Sequence, residues 1–267
     1  MIVRTPFGPA GYDESGAGEP VLWLHGYPLD RALWAPQLAA PAPGFRYLAP
    51  DLPGFGESAR LAPTSLDAWA DWAVAFLDAL AIDRAVIGGL SMGGYLALAI
   101  WRRHPQRVRA LILADTRAGA DSAEVRAKRD EMKTLLLSQG VGAVAERLIT
   151  GMVGKTTRAQ RPGLVAQLDA MMRRSSVEAV SDAREVLLGR PDATPTLATI
   201  TVPTLIICGD EDVLTPVAES RALQAAIPGS RLEVIPGAGH VSNFETPEVF
   251  NRLLSDTLAA TIRTGPT

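Results

Sequence analysis

The 267 residues are enough for one large domain or for a domain carrying an insertion. Hydrophobic residues make up 47% and charged residues 21%, with a net charge of −3, a balance that argues against nucleic acid or an anionic membrane as a partner. No apolar run reaches the roughly 20 residues that span a bilayer. The N-terminus lacks a basic stretch followed by an apolar one, and the single Cys208 has no internal disulfide partner. The expected setting is therefore cytoplasmic.

In chain order, the first twenty residues are turn-rich, with one or two short edge strands expected among them. Short apolar runs at 20–25 and 46–50 predict buried strands, with a short helix over 32–40 between them. Asp51-Leu52-Pro53-Gly54-Phe55-Gly56-Glu57-Ser58 reads as a loop. Leu66, Trp69, Ala73, Phe76 and Leu77 recur at helical spacing behind Thr64 or Ser65 as cap. The run Ala85-Val86-Ile87 then leads into Gly88-Gly89-Leu90-Ser91-Met92-Gly93-Gly94, and a helix-forming run follows. Another strand covers 108–114. The alternation of strand and helix predicts an α/β fold: a mostly parallel sheet with helices on both faces.

Residues 117–198 break that rhythm. Helices are expected over 122–138, 141–150, 163–174 and 176–188, with no strand. This helical insertion holds Met132, Met152, Met171 and Met172. They suit either an adaptable apolar wall for a substrate or ordinary core filling. The insertion's basic residues are expected on a solvated helix face. The alternation resumes with strands at 202–209 and 231–235, a helix over 216–226, and a last helix from about 246 to 262. The domain division is therefore 1–116 with 199–267 as core, and 117–198 as insertion.

Gly89-Leu90-Ser91-Met92-Gly93 fits G-x-S-x-G, a serine on a sharp turn between strand and helix. Its crowded geometry favours glycine two residues either side of Ser91. It also leaves the Met92 N–H at a helix start, aimed where an oxyanion could form. Acyl transfer by serine further needs a base and a carboxylate to orient it. Of the three histidines, His25 ends a strand and His104 lies about three helical turns from Ser91. His240 sits in a Gly-rich loop after the last strand, on the face shared with the serine turn, and is the best candidate base. Asp210, Glu211 and Asp212 follow the preceding strand; Asp115, ending another strand, is a rival for orienting the base. Three scattered histidines and one cysteine make no metal cluster, the phosphate-loop spacing is absent, and no cofactor is expected.

These motifs, with His25-Gly26-Tyr27-Pro28 and Gly239-His240, give a chain that resembles the α/β-hydrolase superfamily over nearly its whole length. The resemblance implies a Ser91–Asp212–His240 triad, choosing Asp212 over Asp210 and Asp115. It implies the Tyr27 N–H as second oxyanion donor beside that of Met92, a structural role for His25, and a substrate-shaping cap at 117–198. It implies a serine carboxylic-ester hydrolase acting on a small ester with water. More narrowly, Gly89 to Gly94 and His240-Val241-Ser242-Asn243-Phe244-Glu245 are similar to 3-oxoadipate enol-lactonases, and the His25–Pro28 loop to cofactor-free haloperoxidases with perhydrolase activity. Lactone hydrolysis, perhydrolysis and carbon–carbon bond hydrolysis are thus alternatives on the same machinery, and a non-enzymatic ligand receptor on this fold is a further one.

Overall fold

A computed structural model describes residues 1–62 and 64–263; residues 264–267 of the second core segment lie outside it. Strands β1 (Ile2–Thr5), β2 (Gly8–Gly16), β3 (Glu19–Leu24), β4 (Phe45–Pro50), β5 (Ala85–Leu90), β6 (Val108–Ala114), β7 (Thr204–Gly209) and β8 (Arg231–Ile235) form one sheet in the order β1-β2-β4-β3-β5-β6-β7-β8. The first three neighbours pair antiparallel and the rest pair parallel. This is the mostly parallel sheet that the alternating pattern predicts.

The sheet sends alternate side chains to two cores, as the two-residue period of a strand dictates. Leu22, Leu24, Ile87 and Ile206 pack on one face with helices α2 (Leu66–Ala79), α3 (Met92–Arg103) and α9 (Val217–Ala226). Val21, Trp23, Val86, Leu205 and Ile207 pack on the other with α1 (Ala35–Leu38) and α11 (Pro247–Arg263). Helix α2 starts where Ser65 Oγ accepts the Ala68 N–H. Its Trp69, Trp72 and Phe76 are fully buried, each stabilising by about 1.5–3 kcal/mol. On the opposite face Trp23 stacks on Trp34 with ring centroids 4.5 Å apart. The Trp23 ring occupies the space that a side chain on Gly88 would need, 2.2 Å from its absent Cβ.

Two strands start the chain, β1 as the short edge strand expected there and β2 as a departure from it. β2 is nine residues long and interior, paired to both β1 and β4. Gly8 and Gly16 at its ends, which read as turns in sequence, have φ 110 and 76. Gly11 inside the strand answers to packing, because an added Cβ would lie 2.6 Å from Arg31 Nη1 and Glu57 Cβ.

Between β6 and β7 lie α4 (Ala123–Met152), α5 (Lys155–Gln160), α6 (Pro162–Arg173), α7 (Val177–Gly189) and α8 (Thr194–Leu197), with no strand among the described residues. Gly140 breaks α4 with φ 78 and ψ −177, which matches the expected break between 138 and 141. The short α5 and α8, and α10 (Ser242–Glu245), are not anticipated. Each is six residues or fewer, too short to carry a periodic signal. No helix of the described residues is long and apolar enough to cross a membrane.

Candidate active site

The turn from β5 into α3 holds Ser91 at φ 55 and ψ −112, a region that costs an ordinary residue free energy. It persists because its surroundings leave no alternative. A Cβ on Gly89 would lie 2.1 Å from the Gly93 carbonyl oxygen, and one on Gly93 would lie 2.0 Å from that of Leu24. The Ser91 N–H donates to Ala114 O at 2.9 Å, and Thr116 Oγ1 donates to Ser91 O at 2.8 Å. The hydroxyl is thus lifted off the carboxyl edge of the sheet.

The loops after β7 and β8 reach the same edge. His240 Nε2 lies 2.9 Å from Ser91 Oγ, and His240 Nδ1 lies 2.8 Å from Asp212 Oδ2. Asp212 is also held by the Leu214 and Thr215 N–H groups and by Thr215 Oγ1 at 2.6 Å. A carboxylate at Nδ1 places the ring proton there and leaves Nε2 free to accept. Burial disfavours the charged imidazolium, but the Asp212 carboxylate, joined by the fields of Asp115 and Glu245, outweighs it and raises His240 above its ordinary pKa of 6.5. Burial likewise pushes Asp212 upward, and His240 with Thr215 more than reverses this, leaving it below the usual range.

The three neighbouring acids take separate partners. Asp210 accepts from the Gly237 N–H and Glu211 from the Thr156 N–H and hydroxyl, while Asp212 alone meets His240. Asp115 is buried, accepting the N–H groups of Gly209 and Ser242 and the Ser242 hydroxyl. Burial, reinforced by the Asp212 charge, holds its carboxyl well above the usual range. It ties the β6 end to the loops after β7 and β8 without touching His240.

Tyr27 and Met92 line the cavity beside Ser91. Among the described residues neither backbone N–H donates to a protein acceptor. His25 stands behind them. Its Nε2 accepts the Leu52 N–H at 2.9 Å, so the proton sits on Nδ1 and faces Gly26 O at 3.0 Å. The next loop is fastened by Asp51, whose carboxylate takes the Arg31 side chain and the Arg31 and Glu57 N–H groups. His104 is elsewhere, 2.7 Å from Asp71. Cys208 is a buried strand residue whose thiol burial pushes up to about 11. The described residues contain no cluster of metal-ligating side chains.

Sequence reasoning missed Glu245 as more than a motif letter. It is fully buried and accepts the N–H groups of Gly154 and Gly239 at 3.0 and 2.9 Å. With the His240 N–H donating to Met152 O, it clamps the histidine loop to the end of α4.

A cavity of about 740 Å³ opens over Ser91 and His240, roofed by α4 and α7. Met132 and Met152 line it, whereas Met171 and Met172 are core. Most of the insertion's basic residues keep the expected solvated face, among them Arg126, Lys155, Arg158, Arg173 and Arg174, and Lys128 and Arg147 at the cavity rim are exposed as well; Arg117, Arg129 and Arg184 depart from it and turn inward to line the cavity. The sequence offered no phase to show which arginines turn inward.

A parallel sheet with a strained serine at the strand–helix turn defines a hydrolase scaffold, and the family model described as "alpha/beta hydrolase fold" matches residues 19–247. The chain belongs to the α/β-hydrolase family. A malate-bound thermophilic esterase from Thermogutta terrifontis superposes with a TM-score of 0.93, at 34% identity over 98% of both chains. The 2-hydroxymuconate semialdehyde hydrolase of Pseudomonas sp. (strain CF600) is 32% identical over 92% of this chain and 89% of its own length. The 3-oxoadipate enol-lactonase 2 of Acinetobacter baylyi is 30% identical over 82% of this chain and 81% of its own. By family and relatives the protein is a hydrolase.

Proposed function

We propose that the protein is a serine carboxylic-ester hydrolase. The observation that carries this is the hydrogen-bonded chain from Ser91 Oγ through His240 to Asp212, at 2.9 and 2.8 Å. In this reading His240 takes the hydroxyl proton as Ser91 attacks the ester carbonyl. Asp212 holds the ring in the productive tautomer and stabilises its cation. The unengaged N–H groups of Tyr27 and Met92 receive the oxyanion. His240 then passes its proton to the leaving alcohol and activates water to release the acid.

The cap reading for 117–198 draws support from α4 and α7 roofing the cavity over Ser91. The substrate partner is a small ester or lactone together with water. The esterase and enol-lactonase relatives favour both substrate types.

A hydrolysis panel of acyl esters of increasing length, aryl esters and lactones tests this, with Ser91→Ala as blank. Ester turnover is expected to fall roughly 10⁴-fold or more while the circular dichroism spectrum stays unchanged. Undiminished turnover in a folded Ser91→Ala protein refutes the proposal. Higher kcat/KM on lactones than on acyclic esters moves the assignment to a lactonase.

A further inference from the structure

The cavity wall beside the serine carries more positive charge than its own carboxylates neutralise. Asp121, its side chain fully buried, accepts three guanidinium groups. Oδ1 takes Arg117 Nη2 at 2.8 Å and Arg190 Nη2 at 2.7 Å, and Oδ2 takes Arg129 Nε at 2.5 Å. Burial works to raise the Asp121 pKa, but the arginines outweigh it and draw it down to about 2, so one full negative charge faces three positive ones. Glu219 and Asp192 feel Arg117 and Arg190 through space, and neither hydrogen-bonds to them.

Two of the three arginines face the cavity. Arg117 and Arg129 line it with side chains 16% and 19% exposed. Among the described residues no acceptor engages Arg117 Nη1 or either terminal nitrogen of Arg129. Arg117 Nε is buried without a partner. Arg184, also at the wall, differs because Glu185, Asp130 and the Arg129 carbonyl use its donors. Among the described residues, Glu131 is the one carboxylate on the lining.

The cluster adjoins the strand–helix turn that carries Ser91, the elbow between β5 and α3. Arg117 follows Thr116, whose hydroxyl donates to Ser91 O. Arg190 lies over the Tyr95 ring at 4.2 Å, and Tyr95 stands one helical turn beyond Ser91, its N–H donating to Ser91 O at 3.1 Å. Tyr27 completes the link, its phenol within the field of Arg129 and Arg184 and the residue itself on the lining of the cavity that Ser91 shares.

We propose that Arg117 and Arg129 form a carboxylate-binding subsite, so that the preferred substrate is a short ester or lactone bearing a free carboxylate besides its scissile carbonyl. Asp121 orients the two guanidiniums and leaves their outer nitrogens free, and a bound carboxylate supplies the missing counter-charge in a bidentate geometry that arginine favours. This rests on the serine-hydrolase reading and names its substrate class.

The test compares monomethyl adipate with methyl hexanoate by pH-stat, in the wild type and in Arg117→Gln, Arg129→Gln and Arg129→Lys. The wild type is expected to favour the hemiester by roughly tenfold or more in kcat/KM, mainly through KM. Each glutamine variant is expected to lower that ratio by roughly tenfold, and Arg129→Lys to retain part of it. High salt is expected to shrink the preference. Should a glutamine variant fail to fold, inhibition of wild-type methyl hexanoate turnover decides: glutarate is expected to inhibit competitively at roughly tenfold lower concentration than 1,5-pentanediol. A ratio of one or less in the wild type, a ratio unchanged in folded glutamine variants, or equal inhibition by the two compounds overturns the subsite. If methyl hexanoate is still cleaved in a Ser91-dependent way, only the subsite has failed. If cleavage does not depend on Ser91, the serine-hydrolase reading has failed and the subsite with it.

Discussion

The sheet side of the molecule and the helical segment between β6 and β7 use glycine in opposite ways. At Gly88, Gly89, Gly93 and Gly94 an added Cβ would meet an atom within 2.0–2.5 Å, and at Gly209 within 2.1 Å. At Gly119, Gly163 and Gly189 it would meet nothing within 4 Å. Gly142 and Gly151 would meet only side-chain ends, Arg173 Nη1 at 2.8 Å and Leu214 Cδ2 at 3.3 Å, whereas at Gly154 a Cβ would lie 2.8 Å from Glu211 Oε2 and 2.9 Å from the backbone nitrogen of Gly239. That is where the helical segment is fastened to the histidine loop. One region is therefore over-determined by close contact, with backbone at Gly89, Gly93 and Gly209 and with the Trp23 and Thr116 side chains at Gly88 and Gly94. The other is joined by side chains, such as Arg174 to Asp30 at 2.8 Å and Arg60 to Asp182 at 2.8 Å. The first positions Ser91, Asp212 and His240, and the second walls the cavity above them, where the proposed function has substrates distinguished.

The contrast breaks most visibly at Gly93. Gly93→Ala drives a methyl group into Leu24 O from within the buried elbow, and a loss above about 4 kcal/mol is expected. Soluble expression and a denaturant melt check this; a well-folded Gly93→Ala protein would remove the steric account of the elbow.

Next comes the division between two buried carboxylates. Asp212→Asn is expected to lower kcat by roughly 10⁴-fold, because the Nδ1 proton loses its acceptor. Asp115→Asn sets an amide NH2 against a backbone N–H and is expected to cost about 1–3 kcal/mol of stability, with a much smaller loss in kcat. Equal losses of kcat in two folded variants would put Asp115 in the reacting set.

The pH profile sharpens the same point. His240 must be neutral to accept the Ser91 proton, and its pKa is raised above 6.5. Activity is therefore expected to fall as pH drops through a midpoint above 6.5. In Asp212→Asn the residual activity should show that midpoint displaced downward, since the carboxylate that favours the imidazolium is gone. An acid limb unmoved by the substitution would assign it to another group.

Legibility in the sequence follows the same division. The elbow could be read because each glycine answers a local steric demand, and the buried strands because parallel strands are apolar on both faces. His240 could be narrowed by counting three histidines. The separation of Asp210, Glu211 and Asp212 could not come from spacing, since it depends on which way each side chain leaves one loop. β2 was obscured by glycines whose cause, such as Arg31 against Gly11, lies far along the chain. The arginines around Asp121 were obscured for a related reason. They come from α4 and from the loops after β6 and α7, and only folding shows that they converge.

The smallest expected effect lies in the permissive region. Gly163 is exposed in the first turn of α6 with no neighbour in reach. Gly163→Ala should stabilise by about 0.5–1 kcal/mol without altering kcat. A destabilisation at this site, seen in thermal melts, would mean that the helical segment is as tightly specified as the sheet.

The central claim, that Ser91 carries the acyl group during turnover, is tested most directly by trapping it. Wild-type protein is mixed with 4-nitrophenyl acetate, quenched in acid within the first turnover, and mapped by peptide mass spectrometry. The account predicts an acetyl group on the peptide containing Ser91, formed with a burst of nitrophenol and absent from Ser91→Ala. Rapid turnover with the acyl group on another residue, or with an unmodified Ser91 under rate-limiting deacylation, would contradict it.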